Sequence, residues 1–329
     1  LRTVFPLGLG LLLAAPIAPT ALGAPQGVPH LDLQGERETF IPYFNEAYRA
    51  YPSIPEGILE AVAFVGSRWS HRIPEAAFAG HHDMPQTYGV MGLFAGQGNF
   101  GDVLGDAASA LGATREALIE SPQLQILGTA ALIAAQLEQA GLHQPELESM
   151  TDILRGLSGL PEGGAIARYA QDSYVYDVLL ALDVGHDEDG FRVPARSIDW
   201  DAAFNDGALL LQRAPHVRAF TDSDRLEAVG HGVVMDVTQG KSEVYRGSEP
   251  AAIASQDYPP ADWVSSPNYS SRAGASISAI TIHTVQGSYS GCSSWFQNSA
   301  SNVSSHYVIR SSDGAVTQMV LEANKAWHV

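Results

Sequence analysis

The spacing of apolar residues predicts two helices near the start of the folded chain. From Arg37 an apolar residue recurs every three or four positions, which is the repeat of a helix with one buried face. This first stripe consists of Phe40, Tyr43, Phe44, Ala47 and Tyr48. Pro52 should end that helix. Ser53 should then cap a second helix, with Pro55 and Glu56 in its first turn. The buried face predicted for this second helix consists of Ile58, Leu59, Val62, Ala63 and Val65.

A different spacing, the alternation of apolar and polar residues, predicts strands towards the other end of the sequence. In residues 278–284, Ile280 and Ile282 alternate with small or polar neighbours, which predicts a short strand with His283 near its end. From Val303 onwards, two alternating runs are joined by Ser-Asp-Gly, and this pattern is a strong signature of a β-hairpin.

The pattern between these two ends is less regular. Residues 200–211 have weak helical periodicity, and residues 233–237 have the apolar character of a strand. Since no chemistry is visible in this part of the chain, we expect residues 185–257 to be a connector with some packed structure. Pro259 and Pro260 give a stiff approach to Trp263, and residue 258 should therefore open another domain.

Length and charge narrow the class of protein. A chain of 329 residues, of which 45% are hydrophobic and 16% charged, has room for two cores of ordinary size. Its net charge of −18 argues against nucleic acids and anionic membranes as partners, because basic patches hold both. We expect the acidity to keep an exported protein soluble.

The N-terminal residues predict export. Arg2 precedes a short apolar run at residues 7–15, and Ala21, Leu22 and Gly23 form a small-x-small cleavage site. We therefore expect residues 1–23 to be a signal peptide, residues 24–36 to be a linker, and no membrane span to remain after cleavage. The mature protein should be secreted, and we expect it to be a monomer. The single cysteine, Cys292, is either a buried small hydrophobe beside Trp295 or the partner of a cysteine further along the chain.

Two stretches of the first predicted domain resemble the lysozyme-like fold of lytic transglycosylases. They are Ile-Leu-Glu-Ala-Val-Ala-Phe-Val-Gly-Ser-Arg-Trp from Ile58 and Thr-Tyr-Gly-Val-Met-Gly-Leu from Thr87. The resemblance implies an all-α domain over residues 37–184, in which the glycine-rich turn packs beneath the end of the second helix. Gly66 stands where that family has its catalytic glutamate, and glycine cannot protonate a glycosidic oxygen. We therefore expect a glycan-binding domain without catalysis, with an active transglycosylase as the alternative.

Four motifs near the C-terminal end resemble zinc-dependent N-acetylmuramoyl-L-alanine amidases, which share their fold with peptidoglycan recognition proteins. These motifs are Thr-Ile-His-Thr around His283, Val-Ser-Ser-His-Tyr-Val-Ile-Arg around His306, Asp-Gly-Ala-Val-Thr-Gln, and Lys-Ala-Trp-His. The resemblance implies that residues 258–329 form the first part of an α/β amidase domain, a mixed sheet with flanking helices. The whole protein is therefore predicted to be multidomain.

The amidase resemblance also implies roles for individual residues. His283 matches a zinc ligand, whereas His306, Trp327 and His328 match positions that line the substrate groove. The other ligands and the catalytic acid or base are expected beyond Val329. Ser305 stands where some relatives have a catalytic tyrosine, which puts that version of the mechanism in doubt. Zinc suits amide hydrolysis because it lowers the pKa of bound water to roughly 7 and polarises the carbonyl.

These implications lead to one main hypothesis and one alternative of another class. The main hypothesis is a secreted peptidoglycan hydrolase that uses Zn²⁺ to cleave the amide bond between N-acetylmuramic acid and L-alanine. The alternative is a peptidoglycan-binding protein without catalysis. A site built from His283, His306 and His328 alone is possible by count, although the resemblance argues against it.

Overall fold

The structure is a computed structural model, and it describes part of the chain. The described residues are 33–74, 86–188, 191–214, 216–220, 222–230, 233–238, 241–244, 253–277, 279–283, 289–310 and 314–327. The predicted signal peptide at residues 1–23 and the predicted groove residue His328 lie outside these ranges. In the part of the chain that is described, no helix has both the length and the apolar character needed to cross a bilayer.

The first half of the described chain is mainly helical. Its helices are α1 (Leu33–Ala50), α2 (Ile58–Ser67), α3 (Val103–Leu111), α4 (Arg115–Glu120), α5 (Pro122–Gln139), α6 (Thr151–Leu157) and α7 (Gly164–Val184). The buried face predicted for α2 is confirmed, because all five of its residues are buried. In α1, Phe40, Phe44 and Ala47 are at most 1% exposed, so the predicted stripe faces the core.

The start of α2 differs from the sequence prediction. Gly57 is the N-cap residue, with φ of 95°, and it has no side chain that could accept hydrogen bonds from the first turn. The hydroxyl of Tyr48, on α1, accepts them instead, from the NH groups of Gly57 at 2.8 Å and Leu59 at 3.1 Å. The prediction that Ser53 caps this helix is therefore wrong, because the cap comes from a neighbouring helix.

The end of α2 packs against a tight turn between strands β1 (Thr87–Tyr88) and β2 (Leu93–Phe94). A Cβ atom added to Gly66 would lie only 2.7 Å from the carbonyl oxygen of Met91. Gln125 supports this turn, since its side-chain oxygen accepts a hydrogen bond from the NH group of Met91 at 2.8 Å. The predicted contact between turn and helix is therefore present, and it leaves no space for a side chain at position 66.

The region predicted to be a connector contains regular structure. A hairpin of β3 (His186–Glu188) and β4 (Phe191–Val193) is followed by helices α8 (Trp200–Ala203) and α9 (Asp206–Arg213). An antiparallel sheet then comprises β5 (His216–Phe220), β6 (Arg225–Gly230), β7 (Val233–Asp236) and β8 (Lys241–Val244). The strand predicted at residues 233–237 is thus confirmed. The single helix predicted at residues 200–211 is wrong, because Phe204 is extended and Asn205 caps a separate helix.

The last part of the described chain is a small mixed structure. Its elements are β9 (Ile253–Ala254), β10 (Asp262–Trp263), β11 (Tyr269–Ser271), α10 (Tyr289–Gln297), β12 (Tyr307–Ile309), β13 (Val316–Gln318) and β14 (Asn324–Ala326). One sheet has the order β12-β13-β10-β9, in which β10 and β13 are parallel. The predicted hairpin is confirmed, since β12 and β13 are antiparallel, with Tyr307 opposite Gln318. Helices and small sheets together agree with a mixed α/β region.

The strand predicted around His283 is wrong for the residues that are described. Residues 279–283 have no regular secondary structure, and the side chains of Ile280 and Ile282 are 87% and 89% exposed. Alternation of apolar residues stabilises a strand only when another strand pairs with it and a core covers its apolar face. In the described ranges no strand pairs with this segment.

The apolar core is divided very unequally along the chain. One large cluster joins the helices α1 to α7 with β4 and the α8–α9 segment. Among the described residues of the C-terminal part, the buried members of the apolar cluster are Cys292, Val308 and Met319. Burial raises the pKa of the Cys292 thiol to about 12, so the thiol stays protonated and unreactive near neutral pH. Its position favours the interpretation of Cys292 as a small buried hydrophobe.

Candidate functional site

Two of the predicted groove residues lie on adjacent segments of chain. Strand β14 pairs antiparallel with β11, which places Lys325 opposite Ser270. One residue after β14, the NH group of Trp327 donates to the Ser304 hydroxyl at 3.0 Å. The NH group of Ser304 in turn donates to the carbonyl of Trp327 at 2.9 Å. The segment that leads to His306 is therefore fixed beside the segment that carries Trp327.

Arg272 connects these segments, and sequence reasoning missed it. Its guanidinium donates to the carbonyl of Glu322 at 3.0 Å and to that of Asn324 at 2.9 Å. The same group lies 3.2 Å from Nε2 of His306, and that nitrogen is also 3.1 Å from the carbonyl of Asn324. Protein groups thus surround Nε2 of His306. Nothing in the sequence signals this role, because Arg272 follows a short polar strand without a recognisable motif.

The indole of Trp327 is held at its polar edge. Its Nε1 donates to the hydroxyl of Ser270 at 3.2 Å, while the side chain as a whole remains partly exposed. A partly exposed indole whose nitrogen is already hydrogen-bonded is well suited to pack against a ligand. The geometry is therefore compatible with the groove role that the sequence predicts for Trp327.

A buried asparagine organises the chain that leads into this region. Asn268 is only 2% exposed, and its side-chain amide donates to the carbonyls of Asn298 at 2.8 Å and Val303 at 2.9 Å and to the hydroxyl of Ser301 at 3.0 Å. The hydroxyl of Ser304 in turn donates to the backbone carbonyl of Asn268. This network orders residues 298–304, immediately before His306.

A second polar network lies at the β12–β13 edge of the region. The phenol of Tyr307 donates to the carboxylate of Glu322 at 2.8 Å, and burial together with this neighbour raises the tyrosine pKa. The carboxylate of Asp257 accepts hydrogen bonds from the side chain of Gln318 at 2.6 Å and from the NH group of Glu322 at 2.8 Å. Tyr307 therefore stays protonated at neutral pH, and the turn after β13 is held from two sides.

His283, the predicted zinc ligand, is exposed and lies in the irregular segment of residues 279–283. A catalytic zinc needs three protein ligands and one open position. Among the residues that the structure describes, no group of three or more His, Cys, Asp or Glu is placed to hold a metal ion. The described residues therefore do not form a complete zinc site, and the assignment of His283 stays a prediction.

Comparison with known proteins places the similarity in this same part of the chain. Residues 273–329 match the family model of N-acetylmuramoyl-L-alanine amidase. The chain is 53% identical over 74 residues to N-acetylmuramoyl-L-alanine amidase A of Achromobacter lyticus, an alignment that covers 22% of this chain and 41% of that protein. The chain thus spans about two fifths of the length of this curated relative. No solved structure matches the chain.

Proposed function

We propose that the protein is a peptidoglycan hydrolase that cleaves the amide bond between N-acetylmuramic acid and L-alanine of the stem peptide. The observation that carries this proposal is the match of residues 273–329 to the amidase family. The 53% identity over 74 residues to an amidase of Achromobacter lyticus agrees with it. The fixed arrangement of His306 and Trp327 adds a surface on which a muropeptide can lie.

In this proposal the groove residues bind and orient the substrate. The exposed part of the Trp327 indole packs against the ligand, and its hydrogen bond to Ser270 restrains the ring. Arg272 holds the backbone at residues 322–324 and restricts the ring of His306. His328 belongs to the same predicted groove, although it lies outside the described residues.

We also propose that the enzyme depends on zinc, with His283 as one ligand. When bound, the metal supplies a nucleophilic water near neutral pH and polarises the amide carbonyl. Because the described residues do not complete a ligand set, our assignment for this chain is limited to the single imidazole of His283.

Export to the cell wall completes the proposal. The apolar run and cleavage site in residues 1–23 support secretion. The helical region before the amidase-like segment would dock the enzyme to the wall. Sequencing the N-terminus of secreted protein would test export, and a mature protein that still begins near residue 1 would contradict it.

The decisive experiment for the activity is His283→Ala in the full-length protein. Removing a zinc ligand should lower the zinc content per chain, measured by elemental analysis, and abolish release of L-alanine amino termini from peptidoglycan. His306→Ala should keep the zinc and lower turnover. If His283→Ala kept its metal and its activity while His306→Ala lost the metal, the ligand assignment would be wrong.

A second candidate function is peptidoglycan binding without catalysis. It is supported by the fixed arrangement of His306 and Trp327, which offers a surface for a muropeptide without requiring a metal ion. Sedimentation with insoluble peptidoglycan separates the two candidates. Binding without any release of amino termini, by zinc-loaded protein, would establish the non-catalytic function.

A further inference from the structure

Arg272 is a partly buried cation that has no carboxylate partner among the residues that the structure describes. Its guanidinium contacts the backbone carbonyls of Glu322 and Asn324 and the imidazole of His306. Other arginines of the described chain do pair with carboxylates, namely Arg115, Arg155, Arg168, Arg218 and Arg225. A cation withdrawn from water without an opposite charge is costly for the folded protein, and an anionic group of a ligand would offset that cost.

The carboxylates of the neighbouring hydrogen-bond network are engaged with other groups. The carboxylate of Glu322 accepts the hydrogen bond of the Tyr307 phenol, whereas the carbonyl of the same residue accepts from Arg272. The carboxylate of Asp257 accepts from the side chain of Gln318 and from the NH group of Glu322. Neither of these two carboxylates therefore forms an ion pair with Arg272.

The guanidinium of Arg272 is held through two of its three nitrogens. Nε donates to the carbonyl of Glu322, and Nη2 donates to the carbonyl of Asn324 and lies 3.2 Å from the ring of His306. The third nitrogen, Nη1, forms no hydrogen bond with any residue in the described ranges. Its two N–H groups can therefore donate to a ligand. Because the side chain is already held in one position, little conformational entropy is lost when a ligand binds.

This cation lies beside the candidate groove. Arg272 contacts the ring of His306 directly, and the carbonyl to which Nη2 donates belongs to Asn324, the first residue of β14. One residue after that strand comes Trp327, whose side chain is partly exposed. A ligand that contacts both His306 and Trp327 would therefore lie next to Arg272.

The chemistry of this position selects a carboxylate. A guanidinium binds carboxylates through charge-assisted hydrogen bonds, which are shorter and stronger than those between neutral groups. The net charge of the chain, −18, disfavours anions in general, so affinity for one requires a local cation such as Arg272. In the substrate proposed above, the sugar ring and the amide bond to be cleaved are uncharged, whereas the stem peptide carries carboxylates.

We propose that Arg272 is a substrate-binding residue that recognises a carboxylate of the stem peptide through Nη1. This inference rests on the proposed peptidoglycan substrate, and it adds a specificity that the family match does not assign. Stem peptides with a free carboxyl group should bind better than those in which the same group is an amide.

The test compares two muropeptides that differ in a single group. N-acetylmuramoyl-L-alanyl-D-isoglutamine has a free carboxyl group, and in the second ligand this carboxyl is converted to an amide. Binding to the full chain is measured by ligand-observed NMR titration, which also reports any cleavage of the ligand. Wild-type protein should bind the carboxylate about fivefold to tenfold more tightly than the amide.

Substitutions of Arg272 separate recognition of the charge from support of the groove. Arg272→Gln removes the charge and should bring the affinity ratio of the two ligands to about 1. If Arg272 only supported the backbone at residues 322–324, its replacement would weaken both ligands equally and leave the ratio unchanged. Arg272→Lys keeps the charge without the planar fork, and should retain a ratio of about two to four.

Lys325→Gln is the matched control, because it removes the same charge from an exposed side chain on β14, one residue from Asn324. Its affinity ratio should stay within about twofold of the wild-type value. A loss of the ratio as large as that in Arg272→Gln would assign the preference to overall charge and would overturn the inference.

Two further results would overturn the inference and leave the amidase proposal intact. They are equal affinity of wild type for the two ligands, and an unchanged ratio in Arg272→Gln. Failure of wild type to bind either muropeptide would also overturn it. Release of amino termini from peptidoglycan would then decide separately whether the amidase proposal stands.

Discussion

The helical region and the C-terminal region of this protein are each stabilised by a different kind of interaction. Among the side chains of the helical region that are less than 2% exposed are Trp69, Phe40, Phe44 and Ile58. In residues 253–327 the deeply buried side chains are largely polar, namely Ser255, Ser266, Asn268, Ser304, Thr317 and Gln318. The apolar cluster described in this range is the small one of Cys292, Val308 and Met319, and Ala261, Val320 and Ala326 are buried outside it.

This difference separates stability from precision of geometry. Apolar burial is strong and non-directional, so it stabilises the helices without fixing each contact. Hydrogen bonds contribute less net free energy, but they fix distance and angle, and a buried group that loses its partner is costly. In the C-terminal region, which carries the candidate groove, hydrogen bonds of Asn268, Ser304 and Arg272 therefore position the loops.

The largest expected change in the free energy of unfolding comes from a substitution in the helical core. Phe44 is 1% exposed, and its ring meets that of Phe191 edge to face at 5.3 Å. Phe44→Ala should lower the free energy of unfolding by about 3–5 kcal/mol, because it leaves a cavity and loses an aromatic contact. Urea unfolding followed by far-UV circular dichroism measures this change. Asn45→Ala, on the exposed side of the same helix, should change it by less than about 0.5 kcal/mol.

The next effect concerns the tight contact at the end of α2. Gly66→Ala should cost about 2–3 kcal/mol, because its Cβ would meet the backbone of Met91 and Gly92, which cannot move without disturbing the turn. Gly156→Ala is the control, since a Cβ there meets nothing closer than the end of Gln136 at 4.0 Å. That variant should be neutral or more stable by about 0.5–1 kcal/mol. Equal effects in the two variants would show that α2 has room at position 66.

A glutamate side chain at position 66 would meet the same tight contact. Gly66→Glu would place a carboxyl where the resembled family has its catalytic acid, but the larger side chain would meet the same backbone atoms of Met91 and Gly92. We expect Gly66→Glu to destabilise the helical region and to release no anhydro-muropeptides from glycan strands. Release of such products by a stably folded variant would restore the transglycosylase hypothesis.

The smallest change in the free energy of unfolding is expected for the hydrogen-bond network around Asn268. Its effect should remain local. Asn268→Ala removes one donor group from four acceptors, and should cost about 1–2 kcal/mol. Hydrogen exchange should become faster at the amides of Ser304 and Trp327, while amides of α5 keep their protection. A loss of protection throughout both regions would contradict the separation that we draw between them.

The sequence predicted those features that depend on a local repeat. The buried faces of α1 and α2 follow from apolar spacing alone, and the β12–β13 hairpin follows from alternation and its turn. Residues 278–284 have a similar alternation, yet Ile280 and Ile282 are exposed. A repeat along the chain specifies a face, and whether another strand covers that face depends on distant residues.

Features that join distant residues could not be predicted in this way. The cap of α2 comes from Tyr48 on another helix, and no pattern around Ser53 or Gly57 indicates it. Arg272 acquires its role only because β11 and β14 pair. At the candidate site, the family motifs identified His306 and Trp327, whereas the groups that hold them became visible only in the structure.

The parallel pairing of β10 with β13 has a consequence for the order of folding. Parallel strands require a long crossover, and here it includes β11, α10 and β12. The helical core also joins distant residues, since the ring of Phe44 on α1 meets that of Phe191 on β4. Single helices can form from local hydrogen bonds, whereas the helical core and the C-terminal sheet each have to close a long loop before their contacts stabilise them. The candidate groove should therefore take shape only after the loop between β10 and β13 has closed.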